Sequence, residues 1–397
     1  MPRHPTRPTL AAFLVLATLG ASAPAHATWS ILAVDTETQE VAIGAATCVT
    51  GIDLKAFLPV VKVGIGGGAA QFFIDGSGER RQIIHDGLVG GSTAEQIIAQ
   101  LEALPSTANH QHGVAEAGAT ADAGSSATQT GANAGAWAGG NSGRLGSVYY
   151  AIAGNLLTGP QVVDMATQTF IDTPGDLPAK LMAAMETARA FGGDGRCSCS
   201  QADPDGCGAP PASFEKSSDV GFLIVARFGD TDDAACTAGG CADGDYFLDF
   251  NVANQTAVDP DAVLQLQTLF DSFRTGSLGR PDAIASTVGF SRTPSGFRMV
   301  VALEDWQGTS IGSGVGSFSV VHAADSDGIT LINPPTDNGD GTYTVELDWD
   351  GSPGTDAFRI TADDGVRPVV LPPRRASLSL DQIFADGFES GDTSGWS

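Results

Sequence analysis

Apolar positions along this chain follow two periods, and the switches between them mark out its elements. "TWSILAVD" (28–35) and "EVAIGAATC" (40–48) are apolar-rich strand segments joined by a polar "TETQ" turn, the signature of a hairpin. "FLPVVKVGIGGGAAQFF" (57–73) adds a strand, a glycine cluster and a second apolar run. The period then lengthens. Residues 79–90 and 92–104 predict helices, the second opened by Ser92 with Glu95 three residues on, a capping box. Short strands broken by Gly, Ala and Asn fill 111–155 and end in "SVYYAIAGNLL". Helices follow from Pro160 and over "LPAKLMAAMETARAFGG" (177–193), the latter stopped at Gly192. "DVGFLIVARFG" (219–229) and "YFLDFNV" (246–252) read as strands, and "PDAVLQLQTLFDSF" (260–273) as an amphipathic helix. Strands, then helices, then strands and helices again is a layered α+β order, not an alternating βαβ one.

Beyond Gly276 the helical period disappears. From 284 to 371 there are only strand-like segments, such as "FRMVVALED", "YTVELDWD" and "DAFRITADD", spaced by turns such as "DNGDG". That spacing predicts a small β-sandwich. "PPRR" then breaks the pattern and leaves a polar tail, 372–397. The expected organisation is therefore a layered α+β domain over 28–275, a linker over 276–283, an all-β domain over 284–371 and the tail.

Residues 1–27 have a different pattern. Arg3 and Arg7 precede an apolar run from Leu10 to Gly20, and Ala25-His26-Ala27 forms an A-x-A cleavage site. The reading is a signal peptide cut after Ala27. It leaves a mature chain that starts at Thr28 in the periplasm, at the cell surface or secreted. The apolar run is too short to cross a bilayer and no later one reaches ~18 residues.

With 397 residues, 51 glycines and 42% apolar residues, the composition is that of a globular protein rich in strands and turns. The net charge is −26 and the 20 basic residues form no runs, so the basic footprint that nucleic acid requires is missing. The six cysteines, Cys48, Cys197, Cys199, Cys207, Cys236 and Cys241, suit disulfides in an oxidising compartment, with zinc as the sharper alternative. Their pairing is left open by sequence.

The chemical motifs are few. "GIGGGAA" approaches a dinucleotide fingerprint, but a strand-like "AAQFF" follows where a helix is needed, so close packing of sheets explains the glycines better. His110 and His112 share a strand face and could touch one metal, yet lack a third ligand; a surface "HQH" is the expectation. The Asp/Gly loops do not carry the 12-residue calcium pattern. No cofactor or metal is called for. No G-x-S-x-G elbow occurs. A chain starting at Thr28 would instead carry a hydroxyl and a free α-amine on one residue, a recognised route to an activated nucleophile. The plainer alternative is a strand residue that happens to follow a cut.

"TWSILAVDTETQEVAIGAAT", "GIGGGAAQ", "YAIAGNLLTGPQVVDMATQTF", "KLMAAMETARAFGGD" and "LDFNV…VDPDAVLQLQTLF" occur in that order. Together they resemble the bacterial Ntn-hydrolase-like family known as domain of unknown function 1028, over about 28–273. The resemblance implies a four-layer αββα fold. It also implies an amidohydrolase acting on a peptide-like or small amide substrate, with Thr28 as nucleophile and base and Asn155 as oxyanion donor. Gln71, Asp194 and Asp219 would line or orient the site. Gly140 stands where the family pattern has a histidine, and the cysteine-rich segment after Asp194 is extra. The C-terminal strands resemble an Ig-like module of the invasin or filamin sort, and the tail resembles a sorting tag. The competing expectation is a non-catalytic surface or adhesion protein that uses the same fold as scaffold, in oligomers or alone.

Overall fold

Alternation carries the first strands into two different cores at once. In β1 (Thr28–Asp35), Trp29, Ile31 and Ala33 face a helical layer, while Leu32 and Val34 face a second sheet. The computed structural model describes residues 28–118, 122–232, 235–312, 315–323, 328–373 and 376–379. The signal-peptide reading of 1–27 and most of the tail lie outside these.

Among the described residues, the N-terminal part holds ten strands. They are β1, β2 (Val41–Thr47), β3 (Pro59–Lys62), β4 (Gly66–Phe72), β5 (His110–Glu116), β6 (Ser125–Thr130), β7 (Gly139–Leu145), β8 (Val148–Asn155), β9 (Val220–Ala226) and β10 (Leu248–Val252). Its helices are α1 (Leu54–Phe57), α2 (Glu79–Val89), α3 (Ala94–Glu102), α4 (Gln161–Asp172), α5 (Leu177–Ala190), α6 (Gly195–Ser198) and α7 (Ala262–Gly276). One antiparallel sheet runs in the order β10-β9-β2-β1-β8-β7 and a second in the order β3-β4-β5-β6. Phe170, Leu181, Met185 and Leu266 from α4, α5 and α7 bury the outer face of the larger sheet. Its inner face, with Leu32, Ile43, Phe222 and Ile224, meets Val61, Ala69 and Ala115 of the smaller one. Ile84, Leu88, Ile97 and Leu101 of α2 and α3 cover the far side of the smaller sheet.

The glycines of β4 fit this packing. A Cβ on Gly67 would lie 2.9 Å from Leu32 Cδ1 of the opposite sheet, and one on Gly68 2.6 Å from Ile84 Cγ2 of α2. Both approaches exclude a side chain. The capping box belongs one residue later than expected. Thr93, not Ser92, caps α3 by accepting from Gln96 N, and Gln96 Oε1 accepts in return from Thr93 N. The reason is local: Thr93 has the extended backbone (φ −69°, ψ 161°) that a cap requires.

Beyond α7, β11 (Thr287–Thr293), β12 (Gly296–Ala302), β15 (Thr342–Trp349) and β14 (Ile329–Asp337) pair in that spatial order. A further sheet joins β13 (Ser317–His322), β16 (Thr355–Asp363), β17 (Pro368–Val370) and β18 (Ser377–Ser379). Their inward residues, among them Met299, Val345, Phe358 and Ile360, form a core of their own. The short stretch between α7 and β11 is anchored. Buried Asp282 accepts from Arg227 Nη1 at 2.8 Å and caps Ile284 and Ala285. Among the described residues no helix is long and apolar enough to cross a membrane.

All six cysteines are paired: Cys48–Cys197, Cys199–Cys207 and Cys236–Cys241. That answers the zinc alternative with disulfides. Cys48, Cys197 and Asp219 do converge, but two of the three donors are bonded to each other.

Candidate functional site

At one end of the paired sheets the inward-facing positions turn from apolar to polar. Along β1 the inner face reads Thr28, Ser30, Leu32, Val34, so the strand that buries Leu32 between the sheets presents Thr28 at the rim. The same alternation places Asn155 at the end of β8, in register with Thr28, and Gln71 near the end of β4. On β5 it places Gln111, which pairs across to Gln71. Thr28 and Asn155 are 2% and 0% exposed, and Gln71 and Gln111 are equally buried.

The three amides form one network, and backbone carbonyls fix its orientation. Gln111 Nε2 donates to Gly154 O at 2.9 Å, Gly139 O at 3.1 Å and Thr130 Oγ1 at 2.8 Å. Carbonyls only accept, so this end of Gln111 must be nitrogen and Oε1 must face the other two amides. It accepts from Asn155 Nδ2 at 2.9 Å and from Gln71 Nε2 at 2.7 Å. Both donors also reach the Thr28 carbonyl, Asn155 at 3.2 Å and Gln71 at 3.4 Å. The opposite ends, Asn155 Oδ1 and Gln71 Oε1, are buried acceptors without a hydrogen bond.

Backbone strain adjoins both amides. Phe72, after Gln71, has φ +79°, and Leu156, after Asn155, has φ +51°. Bulky residues seldom adopt that region, and such strain, worth about 1–3 kcal/mol, concentrates at functional sites.

The two carboxylates flank strands of the same sheet, Asp194 bridging to Leu157 just past β8 and Asp219 immediately before β9. Asp219 lies across from the end of β2, and its N donates to the Thr47 carbonyl at 2.9 Å. Its Oδ1 is gripped by Lys216 Nζ at 2.5 Å, and Oδ2 lies 3.5 and 3.6 Å from the sulfurs of Cys48 and Cys197. Asp194 is fully buried. It accepts from Cys48 N at 2.6 Å and from the Nε and Nη2 of Arg196 at 3.1 and 2.8 Å. Burial pushes its carboxyl up from the ordinary range, against the pull of Arg196. Thus all five expected residues gather at one sheet end. Thr28, Asn155 and Gln71 touch, while Asp194 and Asp219 brace Cys48 and the loop beside Thr47.

One cavity is lined by Thr47, and a second, larger one lies beside its neighbour Cys48. Thr28, Thr47, Gln71, Leu58 and Phe72 line the first, of about 10 Å³, the space of a single water. Cys48, Arg196, Lys216 and Asp219 line the second, an open cleft of about 340 Å³.

Gln111 is the residue that sequence reasoning missed, because a lone amide belongs to no motif and stands between two histidines. Those face the opposite way and are not at the surface. His110 and His112 are 7% and 0% exposed, stacked with centroids 6.1 Å apart. Burial and the Arg80 charge pull His110 down to about 4. Burial takes His112 to about 4 as well, against its hydrogen bond to Gln129. The signal for Gln111 was its parity: it shares a face with Ala115, which lies in the core between the sheets.

Residues 28–202 match the family model of a family of unknown function, DUF1028. A protein from Silicibacter pomeroyi of the same family has a crystal structure similar to this chain. The two share 17% identity, with a TM-score of 0.42, over 62% of this chain and 88% of that one. No curated protein matches the chain.

Proposed function

We propose, on the premise of that family match, that 28–275 is a four-layer αββα Ntn-hydrolase-like domain and that it acts as an amidohydrolase outside the cytoplasm. The observation that carries the reading is the convergence on Thr28 of Asn155, Gln71 and Gln111, with strained backbone after two of them. Removal of 1–27 by signal peptidase would free the Thr28 amine.

In this mechanism Thr28 Oγ attacks the carbonyl carbon of a peptide-like or small amide while the α-amine takes the hydroxyl proton. An α-amine has an ordinary pKa of about 7.7–8.0, so an unprotonated fraction is available near neutrality. The tetrahedral oxyanion needs a fixed N–H. Asn155 Nδ2 can supply one by releasing the Thr28 carbonyl, the longer of its two bonds. Collapse breaks the C–N bond, and the ammonium returns its proton to the departing nitrogen. Water, deprotonated by the same amine, then cleaves the Thr28 ester and restores the hydroxyl. The large cleft lined by Cys48, Arg196, Lys216 and Asp219 is where we place the substrate's approach.

A second reading is a non-catalytic binding protein with an Ig-like module over 284–371. The small size of the cavity at Thr28 favours it.

Edman sequencing of exported protein decides the premise: a first residue other than Thr28 removes the mechanism. On correctly processed protein, turnover of an amide library by wild type and Thr28→Ser, but not Thr28→Ala, supports the enzyme. Equal rates in wild type and Thr28→Ala leave the binding protein.

A further inference from the structure

We propose that the substrate at Thr28 carries a short, uncharged acyl group, formyl or acetyl, on its scissile nitrogen. This substrate class rests on the reading of Thr28 as nucleophile. In an amide R–CO–NH–R′, R is bonded to the carbon that Thr28 Oγ attacks, so the space beside Thr28 is what R must enter.

That space is small and its walls are held. Thr28 lines a cavity of about 10 Å³, room for one water, and a methyl group is of the same order. Buried Leu54, Leu58 and Phe72 form part of the wall. Leu58 N donates to Leu54 O and Leu58 O accepts from Ala70 N, both at 3.1 Å, which ties this wall to β4. Close-packed walls of this kind resist an added methylene.

The walls also exclude charge. Ile52, Phe57 and Ile74 are apolar too, and Thr28, Thr47 and Gln71 supply the polar side chains. None of these side chains is ionised, so a carboxylate or ammonium on the acyl group would lie in an apolar recess without a counter-charge.

Gln71 adds an acceptor. Its Nε2 faces Gln111 Oε1 at 2.7 Å and the carbonyls of Thr28 and Ala153, both at 3.4 Å. Gln71 Oε1, at the other end of the amide, is buried and makes no hydrogen bond. An acceptor beside the nucleophile suits the N–H of a secondary amide and would repel an acyl carboxylate.

The test is hydrolysis of formyl, acetyl, propionyl, butyryl and glycyl p-nitroanilides by the processed full chain, read as nitroaniline release. The formyl and acetyl anilides should be cleaved best. Propionyl should fall at least about tenfold in kcat/KM, the usual value of one methylene at a fitted wall. Glycyl, of propionyl's size but charged, should fall further. In Ile74→Ala, at a half-buried wall position, the propionyl-to-acetyl ratio should rise about tenfold, and Phe57→Leu repeats the measurement at a second one. Butyryl or glycyl cleaved as fast as acetyl, with Thr28→Ala inactive, keeps Thr28 as nucleophile and overturns the acyl assignment. No cleavage of any anilide, or equal rates in Thr28→Ala, overturns the reading of Thr28 and this substrate class with it. A ratio unmoved in both wall variants, at unchanged melting temperature, overturns the placement of the acyl group in this cavity.

Discussion

Asn155 lies directly across from Thr28 in the β1–β8 ladder, and its Nδ2 donates to the Thr28 carbonyl at 3.2 Å. A side chain thus grips the backbone of its own ladder partner. Because Gln111 Oε1 holds the same nitrogen at 2.9 Å, the position of Asn155 is set from the second sheet. The rim of the cleft is therefore a joint between sheets, and substitutions there should show it.

Gln111→Leu should destabilise the protein by about 2–4 kcal/mol. It deprives Gly139 O, Gly154 O and two amide donors of partners in a buried place, each worth ~1–3 kcal/mol, with partial recovery by rearrangement. Urea unfolding measures this; a loss below 0.5 kcal/mol, on the scale of ordinary surface changes, would mean that the network contributes nothing.

The bridges should differ in value. Cys48–Cys197 spans 149 residues and Cys199–Cys207 only 8. Chain entropy then assigns about 5 kcal/mol to the first and about 2.5 kcal/mol to the second. Paired Cys→Ala variants, compared by denaturant midpoint, should rank in that order.

Acid should destabilise the fold through the buried histidines. His110 and His112 have folded values of about 4 against an ordinary 6.5. Between these limits the unfolded chain binds more protons, so stability is full above 6.5 and is lost as pH falls toward 4. Glu40 acts in the opposite sense. Burial raises it to about 7 despite Arg227, so its contribution is lost as pH rises toward 7. His112→Asn keeps an amide for Gln129 and should flatten the acid limb by about 1.4 kcal/mol per pH unit. An unchanged slope of stability against pH would show that His112 is not buried neutral.

Adjacent leucines should respond differently to glycine. Leu157 is fully buried, and Leu157→Gly should cost more than 3 kcal/mol, as ~2–5 kcal/mol is usual for truncation in a core. Leu156→Gly relieves the positive φ and should cost less than about 1 kcal/mol. Equal losses in thermal unfolding would deny strain at Leu156.

Much of this was legible beforehand because alternation and helical period are local. The hairpin of β1 and β2, the helices from Pro160 and to Gly192, and the all-β stretch after Gly276 follow from side-chain order alone. The glycines of β4 read correctly as packing because no helix follows them. What stayed hidden depends on contacts distant in sequence. Nothing near Asp194 in the chain announces Cys48, 146 residues earlier, as its partner, and nothing near Gln111 announces Gly154. His110 and His112 looked like surface residues because their cover, α2 and α3, is contributed by an earlier segment. Thr93 displaced Ser92 as the cap because a cap is chosen by backbone angle, and both residue types qualify.

The triplet His110-Gln111-His112 serves two neighbourhoods through a single strand, imidazoles toward the helices and the amide toward Thr28. That division makes reading-frame-preserving indels unequal along the gene. Loss of one codon from the segment 106–109 that leads into β5 would shift parity, turning two imidazoles into the space between the sheets and the amide out under α2. The same loss from the exposed turn around Gly351 would leave every parity of the N-terminal sheets intact. In a library of single-codon deletions, the first should vanish under selection for folded protein and the second persist.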